Sequence, residues 1–175
     1  MLKKWIWALL LPVFLTGCQA ETVPQWETVD DELVEVIEVI QEPYAMTFGI
    51  PDDAVLEVFA SSDTRKVYLQ ENGDYEITSE ALRADSIADV VQELTGFSME
   101  DLTVMQTLRG SLPEYQFAWT SNTGSGGIVS RATVLDDGGY FYALVFSVQE
   151  SCGDQYQDCA QSVFSSFGIY ADEQF

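Results

Sequence analysis

The hydrophobic positions of this chain change period several times, and each change marks a predicted element. From residue 44 onward, short runs rich in Val, Ile, Tyr, Phe and Thr alternate with polar positions, the two-residue period of half-buried strands. They fall at 45–50, 55–60, 66–70 and 74–78, then at 103–109, 114–120, 128–135 and 140–148. Asn72-Gly73 lies between the third and fourth runs and predicts a type I′ hairpin turn, whose two central residues need positive φ. Gly124-Ser125-Gly126-Gly127 and Asp136-Asp137-Gly138-Gly139 punctuate the later runs as hairpin loops. Two stretches carry the helical period instead. Ile87, Val90, Val91 and Leu94 form one stripe, with Asp85 or Ser86 to cap its start and Gly96 to suit the position after its end. Tyr156, Cys159, Ala160, Val163, Phe164 and Phe167 form the other, ended by Gly168. Strands, a helix, four strands and a helix are segregated hairpins, not alternating βαβ units. The predicted fold class is α+β: an antiparallel β-sheet packed by two main helices, in a single domain over 44–170 with a short tail at 171–175.

Ahead of this domain the pattern is different. Residues 19–43 contain Pro24, Pro43 and eight acidic residues, with no glycine. Like charges without counter-charges favour extension, so 18–43 is expected to be an acidic tether. Leu33, Val36, Ile37 and Ile40 fit a helical stripe inside it, while their β-branched content favours an edge strand; both readings stand.

The first residues carry an address. Lys3 and Lys4 precede an apolar run at 5–15. The run is shorter than the about 20 residues a spanning helix needs, and Pro12 would disturb one. A short apolar run behind lysines at the N-terminus reads as a secretion signal. Its end, Leu15-Thr16-Gly17-Cys18, resembles a bacterial lipobox. The resemblance implies recognition of Leu15, Thr16 and Gly17, removal of 1–17, and a lipid on the Cys18 thiol. Two palmitate-class acyl chains would then hold the protein at the extracytoplasmic face of a cell membrane, because stable attachment takes two hydrophobic anchors. The implied partner is the membrane, through Cys18.

Composition narrows the chemistry. Histidine is absent, which removes every scheme with imidazole as base or metal ligand. Lys3 and Lys4 belong to the signal, so the mature chain keeps five basic residues against 29 acidic ones, a net charge of −24. That balance excludes nucleic acid as a partner, since such binding sets Lys and Arg against phosphate.

The long run at 139–148 followed by an amphipathic helix ending Val163-Phe-Ser-Ser-Phe-Gly-Ile169 resembles PsbP-like domains, in which helices pack on an antiparallel sheet. The likeness rests on the order of elements over about the last 125 residues, without a signature motif, and brings no functional residue. The whole chain also resembles uncharacterised secreted lipoproteins.

Candidate sites are sparse. Cys152 and Cys159 flank a loop at 153–158 and, in an oxidising compartment, are expected to form a disulfide. Their spacing is not that of a C-x-x-C redox motif. Too few thiols and no histidine exclude a structural zinc. Asp30-Asp31-Glu32, Asp52-Asp53 and Asp136-Asp137 lack the EF-hand spacing and read as solvated surface, so neither metal nor cofactor is expected. Gly124-Ser125-Gly126-Gly127 is not a nucleophile elbow, and Lys66, the lone lysine of the mature chain, has no partner motif. No catalytic residue is nominated. Tyr115, Phe117 and Trp119 share a face of one strand, and Tyr140, Tyr142, Leu144 and Phe146 a face of another. Both read as core under helices, with a sugar- or peptide-binding face as the alternative. Arg65, Arg83, Arg109 and Arg131 are scattered and read as ion-paired surface groups, with an anion site built from two of them as the alternative. The expected role is a non-catalytic envelope accessory or binding module. A small envelope hydrolase using a carboxylate pair and a ligand-free spacer are the alternatives.

Overall fold

The computed structural model describes residues 42–170 except Ser125. By internal contacts the chain divides into Met1–Val39 and Ile40–Phe175, and the described residues belong to the second unit. The lipobox residues Leu15, Thr16, Gly17 and Cys18, the tether, the 33–40 stripe and the 171–175 tail lie outside them.

The elements run β1 (Ala45–Thr47), β2 (Ala54–Leu56), a 3₁₀ turn (Val58–Ala60), β3 (Arg65–Gln70), β4 (Tyr75–Leu82) and α1 (Ile87–Thr95). A second 3₁₀ turn (Met99–Asp101) leads to β5 (Met105–Arg109), β6 (Leu112–Thr123), β7 (Gly126–Asp136) and β8 (Phe141–Gln149). A third (Glu150–Cys152), α2 (Gln157–Ser165) and β9 (Gly168–Tyr170) complete the order. The fold is α+β. The main sheet is antiparallel in the order β2-β3-β4-β8-β7-β6-β5, and β1 pairs separately with β9. The connection through α1 carries the chain from the sheet's interior at β4 to its far edge at β5.

Strand β8 sits at the centre because nearly all of it is apolar, and a strand buried on both faces needs no polar alternation. Its even positions Tyr142, Leu144, Phe146 and Val148 join one core cluster with Tyr75, Ile77, Leu135, Ala160, Val163 and Phe167. Its odd positions Phe141, Ala143 and Val145 join another with Phe117, Ala132, Val134, Val90 and Val91. Each fully buried side chain of this size stabilises the fold by about 1.5–3 kcal/mol. The aromatic sets Tyr140/Tyr142/Phe146 and Tyr115/Phe117/Trp119 thus face opposite sides of the sheet, each within or against a core cluster.

Helix α1 forms where its stripe predicts. Ser86 Oγ accepts from Asp89 N, and Gly96 closes the helix in the left-handed region at φ 75°. Other boundaries shift for local reasons. The 55–60 run splits because Glu57 Oε1 accepts from Phe59 N and turns the chain into a 3₁₀ turn after β2. The β3–β4 hairpin is not the expected two-residue turn. Gly73 N–H bonds Gln70 O at 2.8 Å, so Glu71 and Asn72 are the central residues and Gly73, at φ 78°, takes the bulge position after them. Helix α2 stops at Ser165, before Gly168. The Ser165 and Ser166 hydroxyls bond back to Ser162 O, and Gly168 opens β9, a strand too short to read as a run.

The expected disulfide is absent from the structure, where Cys152 and Cys159 are free thiols. Both pack against the first core cluster, Cys152 with its Sγ 3.7 Å from Ser151 Oγ at the end of a 3₁₀ turn and Cys159 beside Tyr75. Burial pushes the Cys159 thiol above its ordinary pKa, against the opposing pull of a hydrogen bond with Tyr75.

Candidate functional site

The first core cluster draws its strand residues from β4, β8 and the Leu135 end of β7, leaving the β5–β6 side of that face beside α2 without an apolar cover. Register sets what stands there. Gln116 lies opposite Thr133, Ala118 opposite Arg131, and Met105 beside Gln116 on β5. These side chains floor a cavity of about 570 Å³, and Gln157, Gln161 and Phe164 of α2 form its wall. The volume falls within the 300–1,000 Å³ range of small-molecule sites.

Arg109 shuts one end. Its Nη2 bonds Glu114 Oε1 at 2.8 Å and its Nε bonds Glu114 Oε2 at 3.2 Å, a bidentate pair across the β5–β6 hairpin. Its Nη1 donates to Phe164 O at 3.0 Å and to Phe167 O, and its guanidinium lies over the Phe167 ring. Arg109 therefore fixes the carboxyl end of α2, where backbone carbonyls lack helical partners. Glu114 is buried. Burial works to raise its pKa, but hydrogen bonds from Arg109 and Gln116 outweigh it and hold the carboxyl below the ordinary value.

Arg131 stands differently. It projects from the floor of the cavity, is exposed, and makes no ion pair among the described residues. Among the described residues the cavity has Arg109 and Arg131 in its lining and no Asp or Glu, in a chain with 29 carboxylates. Arg131 and Gln157 also line an adjoining recess of about 200 Å³ bordered by Tyr156, Glu150 and Asp154.

Of the acidic clusters, Asp30-Asp31-Glu32 lies outside the described residues, and Asp53, Asp136 and Asp137 have structural partners. Asp53 accepts from the Tyr75 hydroxyl at 2.5 Å and from Gln70 Nε2 at 3.2 Å, and the Tyr75 bond in particular lowers its pKa. Asp137 caps the β7–β8 loop by accepting from the Gly139 and Tyr140 amides, and it takes the Tyr142 hydroxyl at 2.7 Å. Asp136 accepts from Gly138 N. Asp74 accepts from the Tyr156 hydroxyl at 2.8 Å. Three tyrosines of the core or its margin thus each tie an aspartate at a loop or strand end, and in all three the phenol is raised above its ordinary pKa. Among the described residues, no group of three His, Cys, Asp or Glu is placed to hold a metal ion.

On the opposite face a cavity of about 600 Å³ brings Glu76, Glu80 and Glu93 beside Arg65 and Trp119. Burial and the Glu93 charge raise the Glu80 pKa, against the pull of Arg65, whose Nε stands 3.7 Å away. A third, of about 720 Å³, lies under Tyr44, Phe48 and Tyr68 beside Lys66.

Sequence reasoning placed Arg109 and Arg131 on the surface and missed the cavity they line. The usable signal was phase: Arg131 shares its strand face with Val129 and Leu135.

No protein-family model matches the sequence, and no curated protein matches it. Solved structures do. The chain is similar to cyanobacterial PsbP (CyanoP) from Synechocystis sp. PCC 6803, with 14% identity, a TM-score of 0.52, and coverage of 71% of this chain and 86% of that one. It is also similar to the Saccharomyces cerevisiae Ran-binding protein Mog1p, with 12% identity, a TM-score of 0.51, and coverage of 75% and 93%. At these identities the likeness is one of fold, and it supports the PsbP-like resemblance.

Proposed function

We propose that this protein is an extracytoplasmic lipoprotein, held to a membrane through lipid on Cys18, whose α+β domain is a non-catalytic accessory or binding module of the cell envelope. One observation carries the binding role. The cavity beside α2 has a size suited to a ligand, and among the described residues its lining holds none of the carboxylates that crowd the rest of the chain. One fold neighbour is described as Ran-binding, so the fold serves partner recognition elsewhere. The lipid anchor rests on the Leu15-Thr16-Gly17-Cys18 sequence.

The test has two arms. Cys18→Ala should release the protein from the membrane fraction or block its processing. Backbone NMR of the full chain in detergent, against a panel of sugars, short peptides and lipid headgroups, should show shifts concentrated at Gln157, Gln161, Ala118 and Thr133. A panel that shifts none of these, or is turned over, overturns the binding role.

A small hydrolase using a carboxylate pair is the second reading, and Glu80 with Glu93 is where it would act, since their charges are coupled in one cavity. Ester or glycoside cleavage lost in both Glu80→Gln and Glu93→Gln would establish it.

A further inference from the structure

Resting on the reading of the cavity beside α2 as a ligand site, we infer that its ligand is an organic monoanion, a carboxylate held by Arg131 with its neutral body along α2. Of the domain's other four cationic side chains, Arg83 does not line this cavity and three have internal partners. Arg109 is committed to Glu114 and two carbonyls, Arg65 faces Glu80, and Lys66 Nζ donates to Ser62 O. Among the described residues, Arg131 alone combines a place in this cavity with a guanidinium not bonded to a protein group. No Asp or Glu among the described residues lines this cavity beside Arg131; Glu150 and Asp154 stand with it only in the adjoining recess. A planar guanidinium fork matches a carboxylate through two parallel hydrogen bonds.

The rest of the lining selects the body. Gln157 and Gln161 each offer an amide donor and acceptor from α2. Gln116 donates its amide N–H to Glu114, so its oxygen is the acceptor it presents. Met105, Ala118 and Phe164 supply apolar surface. Hydroxyl or amide groups on a short carbon frame fit this mixture. A single free guanidinium balances one negative charge; a doubly charged phosphate would bring an uncompensated charge into an already negative domain. Glu150 and Asp154 share the adjoining recess with Arg131, so an anion is favoured at Arg131 from the main cavity and not from that recess.

Acidic sugars and peptide C-termini share this chemistry, and the test separates them. The full chain in detergent is titrated with glucuronate against glucose, and with N-acetylglycine against its amide, while the Gln157 and Gln161 side-chain amide signals are followed by NMR. One acid of the two pairs should bind, with its neutral counterpart weaker by roughly tenfold or more, a difference of about 1.4 kcal/mol. Arg131→Gln should remove that preference, Arg131→Lys should restore part of it, and Gln161→Glu should abolish acid binding. Because Arg131 is exposed, these variants should melt with the wild type. Binding should hold or tighten as salt rises from about 0.01 to 0.15 M, because screening relieves the repulsion between a negative domain and an anion. Equal binding of acid and neutral forms, or a preference untouched by Arg131→Gln, overturns the carboxylate assignment while leaving the cavity a ligand site. Absence of any shift at Gln157 and Gln161 for all four probes overturns the assignment, and only the wider panel then decides the binding role.

Discussion

Arg109 and Glu114 meet across the β5–β6 hairpin at 2.8 Å, and the same guanidinium holds the last carbonyls of α2. One side chain thus joins the sheet's far edge to the helix that walls the cavity. Arg109→Ala would leave Glu114 buried without its counter-charge. Stability should fall by roughly 2–4 kcal/mol, toward the low end for a broken buried pair because Arg109 keeps some solvent contact. Glu114→Gln should cost less. Urea unfolding of the two variants checks the order.

The same pair sets an acid limit. The folded Glu114 pKa lies below its ordinary value of 4.5. Its contribution is therefore complete above about pH 4.5 and is lost as pH falls through the folded value. Urea midpoints measured from neutral pH down to pH 3 should fall less steeply in Glu114→Gln than in the wild type.

Tyr142 receives the Tyr44 amide at 2.9 Å and donates to Asp137, so its hydroxyl bridges the entry of β1 to the β7–β8 loop. Tyr142→Phe should destabilise by about 1.5–3 kcal/mol, the worth of a hydrogen bond to a charged group. At the alkaline end the sign reverses from the carboxylate case. A phenol whose folded pKa is raised contributes stability that is whole below about pH 10 and lost as pH rises through the folded value. For Tyr156, whose bond to Asp74 together with burial pushes the phenol up to about 12, ultraviolet titration should show ionisation delayed in the wild type and restored toward pH 10 in Asp74→Asn.

The carboxylates at Asp53, Asp74 and Asp137 are engaged by tyrosines and loop amides and do not form a cation shell. Added NaCl should raise the melting temperature by screening self-repulsion. CaCl₂ at matched ionic strength should add nothing further. A rise of several degrees specific to Ca²⁺ would assign these loops a metal site instead.

Cys152 and Cys159 should both alkylate in the unfolded chain under non-reducing conditions. In the folded chain Cys159 should react slowly, because burial raises its pKa and thiolate is the reactive form. Absence of alkylatable thiol in protein recovered from its membrane would mean that the pair closes after folding.

The α+β order, the central place of the 140–148 run and both helices were legible because period and length reported them together. The sharpest case is α1, where Ser86, the Ile87–Leu94 stripe and Gly96 agree on both ends. β9 was not legible: three residues carry no period, and its pairing with β1 is a tertiary choice. The cavity was illegible for a related reason. Its floor is a row of residues from three strands, and only register places Met105, Gln116 and Thr133 side by side. Arg131 was visible as a charge on an otherwise buried phase, but a strand alone does not reveal that α2 leaves that place uncovered.

Ligands that enter the cavity beside α2 should be displaced by Ala118→Trp. Ala118 is exposed on the floor, opposite Arg131, so an indole there fills the cavity without entering either core cluster. The variant should keep the wild-type melting temperature and lose roughly tenfold or more in affinity for every fragment that shifts Gln157 and Gln161 in the wild type. Fragments that bind Ala118→Trp as tightly as the wild type would place the binding surface elsewhere and contradict the cavity's role as a ligand site.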